Sequence, residues 1–245
     1  MHFEAHADVY GRARPPYPPE LWARVRETGL VGPGRRALDL GAGTGEATGP
    51  LLATGMDVVA VEPGARLAAL LTERHPRAQV IVARAEDVEL AAGSFDVAVA
   101  ATSLHWMDLD VVLPKVHRAL KADGRFLVWR NVFGDSAAPV TPFRERVAEI
   151  VRGRGEPSNE SMAEDAAVAA ERLSRSGLFV VEDAFASQWS IELDARRIEE
   201  LFATFSNWSD VEVARAGDAV RHLGGAVVEH YSSWLIELRP ANVDG

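Results

Sequence analysis

The chain has 245 residues, 47% of them hydrophobic, and 36 acidic against 26 basic side chains give a formal net charge of -10. A chain of this length and apolarity buries a sizeable core without covalent staples, and the lack of cysteine excludes disulfides, thiolate metal sites and cysteine nucleophiles. The acidic balance disfavours non-specific contact with nucleic acid, no apolar run reaches the roughly 18 residues of a spanning helix, and Met1-His2-Phe3-Glu4-Ala5 lacks the basic-then-apolar pattern of a signal peptide, so a cytoplasmic location without a membrane partner is expected.

Residues 1–30 read as an arm and a helix. Pro15, Pro16, Pro18 and Pro19 forbid a regular helix in the arm, and a helix is predicted from near Glu20 through Leu21, Trp22 and Val25. Pro33-Gly34 marks a turn before the first strand. Strands are predicted at 36–40, 57–61, 79–83, 95–101 and 124–131, alternating with helices at 45–54, 64–74 and 109–121. Such alternation predicts right-handed βαβ units and a parallel sheet. The helix at 109–121 is expected to close on a turn at Ala122-Asp123-Gly124. Beyond Asn131 come a polar connection at 133–142, helices at 141–152 and 163–175, a strand at 178–189, helices at 195–206 and 211–222, and a strand from Val227 to Leu238. One domain over 1–245 is the simplest account, with residues 132–176 as a helical cap within it.

The strand Arg36-Ala37-Leu38-Asp39-Leu40 breaks into the turn Gly41-Ala42-Gly43-Thr44-Gly45. Glycines let the backbone turn sharply and approach a ligand closely. A dinucleotide fingerprint, G-x-G-x-x-G, needs glycine at residue 46. Glu46 stands there, and its carboxylate repels a pyrophosphate at the helix start. The loop G-x-x-x-x-G-K-S/T is absent, because no lysine follows Gly45. The turn therefore suits a nucleoside better than a nucleotide. Glu62 ends the apolar run Val58-Val59-Ala60-Val61, at the tip of the second predicted strand. One carboxylate there accepts from both hydroxyls of a ribose. The plainer alternative is a surface glutamate at the start of the helix after Pro63. For Asp39 that alternative is a turn-stabilising carboxylate, and for Asp87 a helix cap before Val88.

The stretch from Leu38 to Gly45 with Glu62 resembles the class I methyltransferases that use S-adenosylmethionine. The resemblance continues through Ala85-Glu86-Asp87, Ser94-Phe95-Asp96 and Leu104-His105-Trp106. It includes the opening Tyr10, Arg14-Pro15 and Tyr17-Pro18 of a small-molecule-methyltransferase-like subgroup. It is strong over the first half of the chain and loose over the second. It implies an α/β, Rossmann-like sheet of seven strands, mostly parallel with an antiparallel last strand, helices on both faces and a helical cap. It implies S-adenosyl-L-methionine as cofactor, bound by Asp39, Gly41, Ala42, Gly43, Glu62, Pro63, Glu86, Asp87, Thr102, Tyr10 and Arg14. In the family the turn passes under the amino-acid part, the acidic residue at the Glu62 position holds the ribose, and the one at Asp87 meets the adenine amine. Arg14 is placed to meet the cofactor carboxylate, or else lies exposed on a packed arm.

The implied reaction is methyl transfer to a small-molecule acceptor in a pocket of Tyr17, His105, Trp106 and Asn131. His105 is the candidate general base, against the reading of His105-Trp106 as a structural pair. Arg130 ends the fifth predicted strand beside Asn131 and is a further candidate for the crevice. His117 is expected as a solvated or packing histidine of its helix, His222 and His230 are too separated to support a metal site, no H-E-x-x-H is present, and His75 is expected in a loop. Two rivals stand: a nicotinamide-dependent oxidoreductase, which Glu46 counts against, and a non-catalytic cofactor-binding or interaction protein. RNA methylation would need a local basic path. A monomer or homodimer is expected.

Overall fold

In the computed structural model the described residues are 11, 13–135, 137–154, 165–205 and 207–242. The short apolar runs form β1 (Arg36–Leu40), β2 (Asp57–Val61), β3 (Gln79–Ile81) and β4 (Phe95–Ala101). β1, β2 and β4 are buried along nearly their whole length, as strands covered on both faces must be. Helices α1 (Pro19–Glu27), α2 (Thr48–Ala53), α3 (Ala65–Arg74) and α4 (Leu109–Ala119) supply the cover. The rest of the chain forms β5 (Leu120–Phe133), α5 (Pro142–Arg152), α6 (Ala166–Ser174), β6 (Phe179–Asp194), α7 (Ala195–Ala203), α8 (Asp210–His222) and β7 (Ala226–Pro240).

The seven strands form one sheet in the order β3-β2-β1-β4-β5-β7-β6. β1 to β5 pair in parallel, whereas β7 is antiparallel to both of its neighbours. β7 is therefore the one described strand that runs against the others, as the family resemblance implied. The strand order reverses direction between β1 and β4. In open α/β sheets the crevice for a ligand lies outside the carboxyl ends of the strands at such a switch point.

Alternate residues of each strand face opposite sides, and two cores result. Leu38, Leu40, Val59 and Val128 pack with α4 and with Ala169 and Leu173 of α6. Ala37, Val58, Val97, Val99 and Trp129 pack with Leu21 and Val25 of α1 and Leu51 and Leu52 of α2. A third cluster joins Phe143, Val147 and Ile150 of α5 to Ile198, Leu201 and Phe202 of α7 and Ala216 and Val220 of α8. This lobe sits on the overhanging ends of β6 and β7, through Leu193 and Val227. Thus 142–152 joins residues beyond 176 in the lobe, while 166–174 lies on the sheet. No described helix is long and apolar enough to cross a membrane.

Three local expectations shift, each for a physical reason. α2 begins at Thr48 rather than 45 because Gly45 has φ +100, which a right-handed helix does not admit. No free turn stands at 122–124. The strand begins at Leu120, and its pairing jumps from Phe95↔Leu120 to Val97↔Arg125, a bulge. At that bulge the buried Asp96 gathers Lys121 Nζ and Arg35 Nη1, each at 2.9 Å, and the Arg36 N–H at 2.8 Å. β6 runs to Asp194 rather than 189, because Ile191 and Leu193 continue the two-residue alternation with Ser190, Glu192 and Asp194.

Candidate active site

The turn after β1 carries Gly41 at φ +67 and Gly43 at φ +59, conformations that cost other residues energy. The Gly41 and Ala42 amides donate to the Val61 carbonyl at 2.8 and 3.1 Å, which ties the turn to the tip of β2. Ala42 packs with Ala60 and Leu71. The next residue along β2 is Glu62, which is only 5% exposed, so the surface-glutamate alternative falls. Its carboxylate accepts the Gly43 N–H and the Gly64 N–H, both at 2.8 Å. One side chain thus bridges the glycine turn and the residue before α3. A carboxylate has about four lone-pair sites, and these two backbone donors fix its position. Pro63 lies exposed between these contacts.

Asp39 lies beneath the turn and is fully buried. Its Oδ2 accepts from Thr48 Oγ1 at 2.6 Å, and Oδ1 has no hydrogen-bond partner among the described residues. Burial, aided by the charges of Glu46 and Glu62 and opposed by Thr48, pushes its pKa up to about 7 from 3.8. The folded state therefore holds a proton that the unfolded chain releases. Its stabilising contribution is complete below about pH 4 and declines as pH rises through about 7. Asp39→Asn is expected to flatten the stability curve across that window, measured as denaturation midpoints from pH 4 to 8.

The arm reaches the same turn. A side chain at Gly11 would collide with Arg74 and Thr44, so backbone of the arm lies directly on the turn. Thr44 donates to Glu46, whose Oε1 stands 3.9 Å from Arg74 Nη1. His75 stands in the loop just after α3, as expected. It caps α3, its N–H donates to Leu71 at 2.8 Å, and its ring fills the space that Gly45 and Gly49 leave open.

The tip of β4 forms the other wall. Thr102 has φ +59, a costly conformation for a β-branched residue. Its N–H donates to Trp129 O at 2.8 Å, and its hydroxyl shares a 3.1 Å hydrogen bond with Tyr17. Ser103 Oγ donates to Leu40 O at 2.6 Å, joining this tip to the end of β1. A single 3-10 turn, Leu104–Trp106, then sets the rings of His105 and Trp106 4.8 Å apart, with Trp106 60% exposed.

Arg130 Nη1 lies 3.0 Å from His105 Nδ1. A guanidinium only donates, so Nδ1 accepts and the imidazole proton sits on Nε2. Burial, then the charges of Arg130, Arg14 and Arg172, lower the His105 pKa to about 3. The imidazole is therefore neutral at physiological pH and offers a donor. Its Nδ1 lone pair is taken by Arg130.

The remaining predicted residues divide. Asp87 is exposed, and its N–H donates to Arg84 O at 3.0 Å; no helix follows it, so the helix-cap alternative falls. Glu86 is turned to structure: its Oε1 accepts the Asp108 N–H at 2.9 Å, at the start of α4. Asn131 ties down the arm. Its Nδ2 donates to the Pro15 and Pro16 carbonyls at 3.4 Å, and its Oδ1 accepts from Ser233 Oγ at 2.7 Å. Arg14 donates to Thr204 O at 3.3 Å and lies over the Phe205 ring, so it binds the arm to the end of α7. Tyr17 packs edge-on against Trp22 and Trp129. Tyr10 lies outside the described residues. Among the described residues no group of three or more His, Asp or Glu side chains is placed to hold a metal ion. Arg172 was not singled out from the sequence; it enters from α6, whose position over the sheet no local signal specifies.

Comparison with known proteins agrees with this geometry. Residues 38–128 match the family model described as a methyltransferase domain. The segment includes β1 with its turn, Glu62, Asp87 and the β4 tip. An uncharacterised methyltransferase of Mycobacterium tuberculosis is 38% identical over 134 residues, 54% of this chain and 53% of that protein. An uncharacterised methyltransferase of Schizosaccharomyces pombe is 27% identical over 160 residues, 64% of this chain and 62% of that protein. The chain thus spans about half the length of the first of these curated relatives. Among solved structures, a candidate type II methyltransferase from Anaeromyxobacter dehalogenans superposes with a TM-score of 0.67 at 25% identity, covering 92% of this chain and 97% of that one. Geranyl diphosphate C-methyltransferase from Streptomyces coelicolor, solved with S-adenosyl-L-homocysteine, shares the fold at a TM-score of 0.51 and 16% identity, covering 89% and 76% of the two chains. Residues 38–128 thus match a methyltransferase domain, and the chain as a whole is similar to these methyltransferases in fold.

Proposed function

We propose that this protein transfers a methyl group from S-adenosylmethionine to a small-molecule acceptor. The observation that carries the reading is the buried Glu62 carboxylate, bridged to the glycine turn by Gly43 and to the next helix by Gly64. The donor set fits the cofactor. Glu62 sets a carboxylate at the tip of β2, the chemistry a ribose diol needs, Gly41 and Gly43 bring bare backbone to the crevice, and the exposed Asp87 offers an acceptor for the adenine amine. Pro63 and Thr102 would flank it. When bound, S-adenosylmethionine supplies a methyl carbon made electrophilic by its positively charged sulfur.

The protein's own contribution is position and the exclusion of water. Tyr17 and Thr102 hold the β4 tip, Asn131 holds the arm, and Trp106 stands at the mouth. With the Nδ1 lone pair of His105 engaged by Arg130, an acceptor that ionises readily suits this site. The nicotinamide reading is disfavoured because α2 begins only at Thr48, and Glu46 occupies the turn that a pyrophosphate needs.

Calorimetry with S-adenosylmethionine, S-adenosylhomocysteine and NADH tests the proposal. Micromolar binding of the first two, without NADH, is expected. A folded sample that binds neither sulfur compound overturns it. Transfer of a labelled methyl group to a broad acceptor panel then separates a catalyst from a silent cofactor-binding protein.

A further inference from the structure

On the sheet face that carries α1, side chains of three strands form one hydrogen-bonded line. Asn131 of β5 stands opposite Ser233 of β7 in the strand register, and Trp189 of β6 stands opposite Tyr231, two residues along β7. Residues two apart on a strand share a face, so the three side chains meet. Trp189 Nε1 donates to Ser233 Oγ at 2.7 Å, and Ser233 Oγ donates to Asn131 Oδ1 at 2.7 Å. The Trp189 ring is steadied by stacking on Tyr231, with centroids 4.7 Å apart and planes 20° from parallel. Ser233 is fully buried, so water does not compete for its hydroxyl.

The line has one polarity. An indole N–H only donates, so the Ser233 oxygen accepts from it and turns its own proton toward Asn131. Asn131 then gives its oxygen to Ser233 and its NH2 to the arm, where Nδ2 donates to the Pro15 and Pro16 carbonyls, each at 3.4 Å. The two prolines make this direction matter. They have no backbone N–H, so this stretch of the arm can only accept, and only a donor can hold it. Next to it, Tyr17 shares its hydrogen bond with Thr102 at the β4 tip, and before it the backbone at Gly11 lies on Thr44 of the glycine turn. The arm therefore runs from the glycine turn to the strand tips, along the proposed cofactor site.

We propose that Trp189, Ser233 and Asn131 are positioning residues that latch the arm beside the cofactor crevice, and that this latch sets how fast the cofactor and its demethylated product leave. This rests on the methyl-transfer reading above, because it assigns further residues to the same site. The three act through the arm rather than on the methyl group. Breaking the line at Ser233 frees the Asn131 amide to turn its oxygen toward the proline carbonyls. Two acceptors then face each other, and the arm lifts from the turn. Opening of such a segment, rather than chemistry, limits turnover in many enzymes.

The test measures two rates on the full chain. One is release of labelled S-adenosylhomocysteine into an unlabelled chase. The other is tryptic cleavage of the Arg12–Ala13 bond without cofactor, since Arg14 precedes a proline and resists trypsin. Asn131→Asp keeps an acceptor for Ser233 but offers the arm no donor, and it is expected to speed both rates about fivefold. Ser233→Ala is expected to speed both about threefold, and Ser233→Thr, which retains the hydroxyl, to stay within about twofold of the parent chain. Trp189→Phe keeps the stack on Tyr231 without the N–H and is expected to speed both about twofold, which covers the case of a Ser233 variant that does not fold. Val116→Ala weakens the core on the opposite face of the sheet and is expected to change neither rate. Rates unchanged in both Asn131→Asp and Trp189→Phe overturn the proposal. So does equal acceleration in Val116→Ala, which would make the effect one of stability alone. A parent chain that binds no S-adenosylhomocysteine sinks the methyl-transfer reading and this one with it, whereas binding with release indifferent to every variant sinks this one alone.

Discussion

Glu62→Ala is expected to weaken S-adenosylhomocysteine binding roughly 30- to 900-fold, the equivalent of about 2–4 kcal/mol for losing a charge-assisted acceptor of two hydroxyls. The carboxylate also accepts two backbone donors, from Gly43 and Gly64. Alanine leaves both without that acceptor, at about 1–3 kcal/mol for each that stays buried and unpaired. The variant should therefore unfold at lower temperature as well as bind weakly, and the two effects need separate measurements. Binding is read by calorimetry at a temperature where circular dichroism shows a folded sample. Glu62→Gln distinguishes charge from shape. An amide has one acceptor oxygen, so its NH2 must face one of the two backbone N–H groups. Glutamine should consequently lose nearly as much affinity as alanine. Binding within threefold of the parent chain in both variants would remove Glu62 from the cofactor site.

The parts of this site legible in the sequence were those written in contiguous residues. β1, β2 and β4 stand at 36–40, 57–61 and 95–101 as read, because short apolar runs bounded by turn residues have few other solutions. Glu62 was legible because it directly follows such a run. What escaped depends on long-range packing. His75 fills the space beside Gly45 and Gly49, a contact that joins the end of one helix to the start of another. Arg172 reaches the small cavity beside His105 from a helix more than thirty residues beyond β5, and no periodicity reveals where that helix lands. His105 was found, but its protonation was not, since the partner that fixes its tautomer lies on a neighbouring strand. The arm's sequence leaves Arg14 between the cofactor carboxylate and an exposed place on a packed arm, and its contacts with Thr204 and Phe205 depend on where α7 ends. The glycine spacing was visible, but the φ of Gly45 that delays α2 was not.

Gly41→Ala tests the junction on which the whole arrangement turns. Gly41 has φ +67, and a Cβ there would lie 2.6 Å from Ser103 Cβ and 3.1 Å from its Oγ. The left-handed conformation costs alanine about 1–2 kcal/mol, and forcing an extra carbon into a filled contact adds about 1–3 kcal/mol. A total loss of about 2–5 kcal/mol is expected, measured by urea denaturation. Ser103→Gly separates the two contributions. It removes the colliding Cβ but also the hydrogen bond to Leu40 O, which costs about 1 kcal/mol. It leaves the backbone strain at residue 41 untouched. The double variant should therefore be more stable than the sum of the single losses predicts, with a coupling of about 1–3 kcal/mol. Additive losses would mean that the turn and the β4 tip do not press on each other. Coupling would mean that a displaced turn moves Ser103 and the β4 tip, so Gly41→Ala should weaken cofactor binding as well as stability.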